Sequence, residues 1–297
     1  MRFRGNRLVR HFGNSVSNSS SSSFLRRSGQ PKLSTPTPPG GRRADVYLSY
    51  HDVTRKCFSI CPPFCFRRSN KPSLVTNADI KALKDDWLTD QCITFWEEWI
   101  EREILPDYPQ AKIVLLRPTM TVMLTMATDV ASMASSLPSF EGVTHVFIPV
   151  NDVRDASQSD NGTHWSLLVV SLIDAIAFHY DSLGGSNFLP ACKATDRLSK
   201  LLGIAIRFHQ MDDCPQQTNS SDCGVFVCVL IRHLLLKRLL NAHSGNQVSM
   251  SMGNKLVDSI NGRREMLKII EAVRKEGIRR RSLSPLPGAA NTPPRVD

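Results

Sequence analysis

Residues 216–228 read QQTNSSDCGVFVC: a polar, amide-rich loop ends, one cysteine stands between an aspartate and a glycine, and an unbroken apolar run begins. That run, VFVCVLIRHLLLKRLL, is long enough for a helix buried on most sides, and Arg232, His233 and Lys237 keep it from reading as a membrane span. A helix starting at Gly224 or Val225 sets Cys223 at its N-terminus, where unpaired N–H groups and the macrodipole favour negative charge. A thiol attacks as thiolate, so a cysteine with a free pKa of about 8.5 gains from that placement. The glycine lets another segment approach closely.

A nucleophile also needs a base, and the base an orienting group. Of the eight histidines, His164 opens the strand-like HWSLLVV, and Asp181 closes the strand-like AIAFHYD. Two antiparallel strands joined near Ile173–Asp174 place the start of one beside the end of the other, which predicts His164 next to Asp181. The side-chain amide of Gln217 and the backbone N–H of Cys223 then supply an oxyanion hole. Singly, each residue has an ordinary reading as a surface histidine, a turn aspartate or a small core thiol; together they make a catalytic constellation.

Outward from this centre, VTHVFIPVND and IAIRFHQM read as further strands, while residues 77–104, KIVLLRPTMTVMLTM and GRREMLKIIEAV read as helical. Helices around an antiparallel sheet make an α+β domain over residues 45–275. The flanking segments, 1–44 and 276–297, read as basic, Ser- and Pro-rich disordered tails. The first is Arg-rich and acid-free, which also fits an organelle targeting segment.

The formal charge of +10 sits mainly in these tails: residues 1–44 carry nine basic and no acidic groups, and residues 274–297 carry six basic and two acidic. The remaining core is slightly acidic, which argues against a nucleic-acid partner. No apolar run is long enough for a membrane span. The eight cysteines contain no C-x-x-C pair, so a disulfide framework is a poor reading and a cytoplasmic and/or nuclear location is expected. Cys57, Cys61 and Cys65 are spaced by three, but Pro62–Pro63 breaks the segment and no metal site is expected there.

Three sequence blocks, GTHWSLLV, HYDS with its aspartate seventeen residues after His164, and QTNSSDCG, resemble the ubiquitin-like-protein-specific cysteine proteases, the sentrin/SUMO protease family. DVYLSYHDV, DDWLTDQCITFWEEWIE and FIPVND are most similar to its deneddylase branch. The resemblance implies a papain-like fold with His164, Asp181 and Cys223 as the triad, Gln217 as oxyanion donor and no cofactor. It implies cleavage after the C-terminal Gly-Gly of a ubiquitin-like modifier, with cullins among the conjugates, by a monomeric enzyme. It further implies that Trp87 and Trp165 roof a diglycine tunnel and that Asp90, Asn151 and Thr163 contact the modifier tail. Thr89 stands where the family commonly has asparagine, and a small polar side chain is kept.

A SUMO-specific protease is the alternative within the same fold. Bacterial effector acetyltransferases share the His, acid and Cys order but have no use for a Trp-lined tunnel. A catalytically idle modifier-binding relative is the remaining reading. It is motivated by residues 55–76, whose Cys/Phe/Pro character suits neither a buried element nor a solvated loop; they are expected to be an insertion of non-structural origin, such as retained intron sequence. The expectation is a native protein whose intact mass lacks these residues; a mass that includes them contradicts it.

Overall fold

The run WSLLVVS is apolar on alternate and on adjacent positions alike because it lies at the centre of a sheet covered on both faces. The computed structural model describes residues 75–153, 162–241 and 248–283, all within one compact unit spanning residues 43–297. Its sheet has five strands in sequential order: β1 Ile113–Leu115, β2 His145–Asn151, β3 Trp165–Ser171, β4 Ile176–Tyr180 and β5 Arg207–Gln210. Leu167 and Val169 of β3 face one core cluster, while Leu168 and Val170 face the other.

Helices complete the two outer layers. Helix α1 spans Asn77–Asp85, α2 Asp90–Glu103, α3 Pro118–Met126, α4 Phe188–Leu202, α5 Cys223–Leu234 and α6 Ser259–Leu283. Trp96 of α2, Val227 and Leu230 of α5 and Met266 of α6 share the first cluster. Leu124 of α3 with Ala194 and Leu198 of α4 fill the second.

The expected sheet was antiparallel, but only its centre is: β2–β3 and β3–β4 pair antiparallel, whereas β1–β2 and β4–β5 pair parallel. Parallel neighbours need a crossover, and α3 and α4 provide the two. KIVLLRPTMTVMLTM, read as helical throughout, begins as β1 and turns helical only at Pro118, whose fixed φ suits the first turn of α3. The single helical stretch expected over 77–104 is two helices. Each has its own threonine cap: Thr76 and Asp79 form a reciprocal capping box, and Thr89 accepts the N–H of Cys92 at 3.3 Å.

Three boundaries also differ from expectation. Helix α5 starts at Cys223 itself. Helix α6 continues past residue 275 to Leu283, so the segment read as the C-terminal tail begins as helix. Val75, 1% exposed, and the capping Thr76 belong to the fold and not to the expected insertion over 55–76. Val53–Thr54 repeats the same pair in the sequence, so excising residues 55–76 leaves a valine and a threonine directly before Asn77. The N-terminal tail, the DVYLSYHDV block and residues 55–74, including Cys57, Cys61 and Cys65, lie outside the described residues.

Truncating the core on either face is expected to be costly. Leu230→Ala and Leu198→Ala, at residues 1% and 0% exposed, should each destabilise by about 2–5 kcal/mol in urea unfolding. Leu256→Ala, at a residue 98% exposed, should stay within about 0.5 kcal/mol.

Candidate active site

Cys223 is the first residue of α5 and only 1% exposed, with α5 lying against β3. Its neighbour Gly224 is required by close approach: a Cβ there would come within 2.7 Å of the Leu88 Cβ. The glycine therefore lets the start of α5 press against the segment joining α1 to α2. Trp165 ties the same segment to the sheet, its indole N–H donating to the Leu88 carbonyl at 3.2 Å.

His164 lies immediately before β3 and Asp181 immediately after β4, and His164 Nε2 contacts Asp181 Oδ1 at 2.7 Å. The two side chains meet as expected, but they are not directly opposite in the register. Leu167 pairs with Tyr180, so the next position opposite Asp181 belongs to Ser166, and His164 reaches the carboxylate diagonally. With Nε2 on Asp181, Nδ1 is left for the thiol of Cys223, whose proximity helps to raise the pKa of the ring.

Burial alone would lower the pKa of His164. The hydrogen bonds to Asp181 and Cys223 and the charge of Asp181 outweigh it, raising the pKa to about 9. Burial would likewise raise the pKa of Asp181, but the bond from His164 and the N–H groups of Asn187 and Leu183, each at 2.8 Å, hold it below its usual value. The pair is thus arranged to remain imidazolium and carboxylate at neutral pH.

Gln217 lies beside this pair. Its Oε1 accepts the Ser182 hydroxyl at 2.7 Å, its Nε2 donates to the Asn219 carbonyl at 2.6 Å, and its second amide hydrogen is left for another acceptor. Trp87, 42% exposed, lies in the segment joining α1 to α2, and Trp165, half-buried at the start of β3, is hydrogen-bonded to that segment through Leu88. Asp90 opens α2, directly after the capping Thr89. Asn151 and Thr163 bracket the loop between β2 and β3. Asn151 Oδ1 accepts the Val153 N–H at 2.9 Å, and the Thr163 hydroxyl donates to Asp152 at 2.5 Å.

Two supporting residues escaped the sequence reading. Asp152 accepts the backbone N–H groups of Thr163 and His164, at 2.5 and 2.9 Å, and so fixes where β3 begins. Asn187, fully buried, donates from Nδ2 to the His164 carbonyl at 3.0 Å and the Val150 carbonyl at 3.2 Å, while its backbone N–H holds Asp181. Asp152 ends the FIPVND block and was available as a signal. Asn187 stands in a Gly/Ser turn with nothing local to distinguish it from an ordinary loop residue.

Residues 86–260 match the profile of the Ulp1 protease family, C-terminal catalytic domain. The chain is similar to NEDD8-specific protease 2 of Schizosaccharomyces pombe, with 33% identity over 191 residues covering 63% of this chain and 45% of that protein. It is also similar to Sentrin-specific protease 8 of Homo sapiens, with 30% identity over 161 residues covering 52% of this chain and 74% of that protein. The chain spans less than half the length of the two Schizosaccharomyces pombe NEDD8-specific proteases it matches. A solved structure, SUMO protease Ulp1 with the catalytic cysteine oxidized to a sulfinic acid, shares the fold at 20% identity. Its TM-score is 0.50, over 76% of this chain and 96% of that one. Since the matched span exceeds half of the 297 residues and holds the cysteine, histidine and aspartate brought together above, the chain belongs to the Ulp1 protease family.

Proposed function

We propose that this chain is a cysteine protease that cleaves after the C-terminal Gly-Gly of a ubiquitin-like modifier of the Nedd type. It would mature the precursor and release the modifier from lysine conjugates such as cullins, acting as a monomer without cofactor. The observation that carries the proposal is the imidazole held between a buried carboxylate and a thiol at a helix N-terminus. The similarity to proteins named as NEDD8-specific proteases supports the choice of modifier. The five cysteines among the described residues are all free, which supports the cytoplasmic or nuclear placement.

In this reading the thiolate of Cys223 attacks the carbonyl of the terminal glycine. The oxyanion is met by the backbone N–H of Cys223 and the amide of Gln217, and the His164 imidazolium gives its proton to the departing lysine amine. Water then enters, His164 takes a proton from it, and the thioester is hydrolysed. Asp181 fixes the ring and stabilises its charged form. Trp87, Trp165 and Leu88 form walls suited to a chain without side chains, and Asp90, Asn151 and Thr163 lie at element ends from which the modifier tail is reached.

Release of a C-terminal fluorophore from the Nedd-type modifier, and from SUMO in parallel, tests the assignment. Cleavage of the first alone, abolished by Cys223→Ala, is expected. Cleavage of SUMO alone would move the assignment to a SUMO protease, and cleavage of neither would leave a modifier-binding relative. The amine-releasing step needs the imidazolium, so kcat/KM should fall as pH rises through about 9. Asp181→Asn removes a group that raises that pKa. The alkaline limb should then move toward about 6.5, with turnover lower by about 10²–10⁴-fold at pH 7.

A further inference from the structure

An aspartate directly before a helix ordinarily turns its carboxylate onto the N–H groups of the first turn. Asp222 precedes α5, yet its side chain makes no such bond. Oδ1 instead accepts from Arg263 Nε at 2.9 Å and Nη2 at 2.7 Å, and Oδ2 accepts from the Asn219 amide at 2.8 Å. Both partners of the ion pair are buried, at 7% and 6% exposed. Burial would raise the pKa of Asp222, but the bonds from Ser259, Arg263 and Asn219 hold it below its usual value, so the group is ionised at neutral pH.

The guanidinium is itself fixed from every side. Nη1 donates to the Ala82 and Leu83 carbonyls at 3.1 and 3.2 Å, and Nη2 to the Asp86 and Ser221 carbonyls at 2.8 and 3.0 Å. One side chain of α6 thus gathers carbonyls at the end of α1, just before Trp87–Leu88, and the chain just before Cys223.

We propose that Arg263 is a positioning residue for Cys223: by drawing away and neutralising the Asp222 carboxylate, it leaves the first turn of α5 uncapped and electrically positive where the thiolate forms. Without Arg263 the carboxylate one residue before the thiol has two courses, and both oppose the thiolate. It either remains as an unpaired negative charge or swings to cap the N–H groups on which the negative sulfur depends. Among the described residues, the imidazole of His164 faces the thiol, and Asp181 lies behind it. The carboxylates of Asp86 and Asp258 are exposed and engage the backbone N–H groups of Trp87 and Asn261.

Alkylation of Cys223 by iodoacetamide, followed by mass spectrometry across pH, reads thiolate formation without any modifier. A failed result is therefore distinct from a wrong substrate assignment. Arg263→Met should move the midpoint up by about one pH unit, and Asp222→Asn, which leaves the guanidinium uncompensated, should move it down by about as much. The double variant should return near the starting value. Arg263→Lys should keep the midpoint near that of the unaltered chain while alkylation at saturating pH slows. Should Arg263→Met not fold in a thermal melt, Asp222→Asn and Arg263→Lys still decide. Asp222→Asn without an acid shift, or shifts of one sign for Arg263→Met and Asp222→Asn, would overturn the proposal and leave the pair with a purely structural role.

Discussion

Strand β3 lies between two layers of helices, and its pairing with β4 cannot slip by one residue without turning Leu167 and Val169 to the wrong core and Leu168 and Val170 with them. That register, with Leu167 opposite Tyr180 and Ser171 opposite Ile176, decides which residues emerge at the sheet edge. His164 and Asp181 emerge there diagonally, close enough for a 2.7 Å hydrogen bond. The hydrophobic pattern of one strand therefore sets the geometry of an ion pair just outside it.

Electrostatic pairing then determines what that geometry can do. Asp181 is buried, and burial opposes its charge, but two backbone N–H groups and the imidazole oppose burial more strongly. His164 in turn remains charged well above neutral pH because its bonding partners outweigh its own desolvation. A second ion pair, Arg263 with Asp222, involves the residue directly before the thiol. Replacing a buried ion pair with apolar side chains often costs little in stability, so burial of this one calls for a reason beyond stability. Its position, between the residue before Cys223 and the segment before Trp87, supplies one.

Much of this was legible in the chain. Alternation and β-branched runs located β2, β3 and β4; the apolar run after Cys223 located α5; and the hairpin argument brought His164 to Asp181 before any register was known. The parallel edges were not legible. β1 is three residues long and runs into a helix of equally apolar composition, and α4 was not recognised as a crossover. The supporting residues escaped for another physical reason. Arg263 acts on Asp222 from 41 positions away, and Asn187 acts through backbone carbonyls, so local sequence carries no trace of either partner.

The proposed role of Cys223 is that of a nucleophile whose surroundings admit a glycine-ended tail. It is tested most directly by mixing the full chain with a Nedd-type modifier bearing a C-terminal alkyne electrophile and measuring the intact mass of the product. One adduct per chain is expected, mapped to Cys223 and lost in Cys223→Ala. Unreacted protein, or an adduct on any other cysteine, would contradict it.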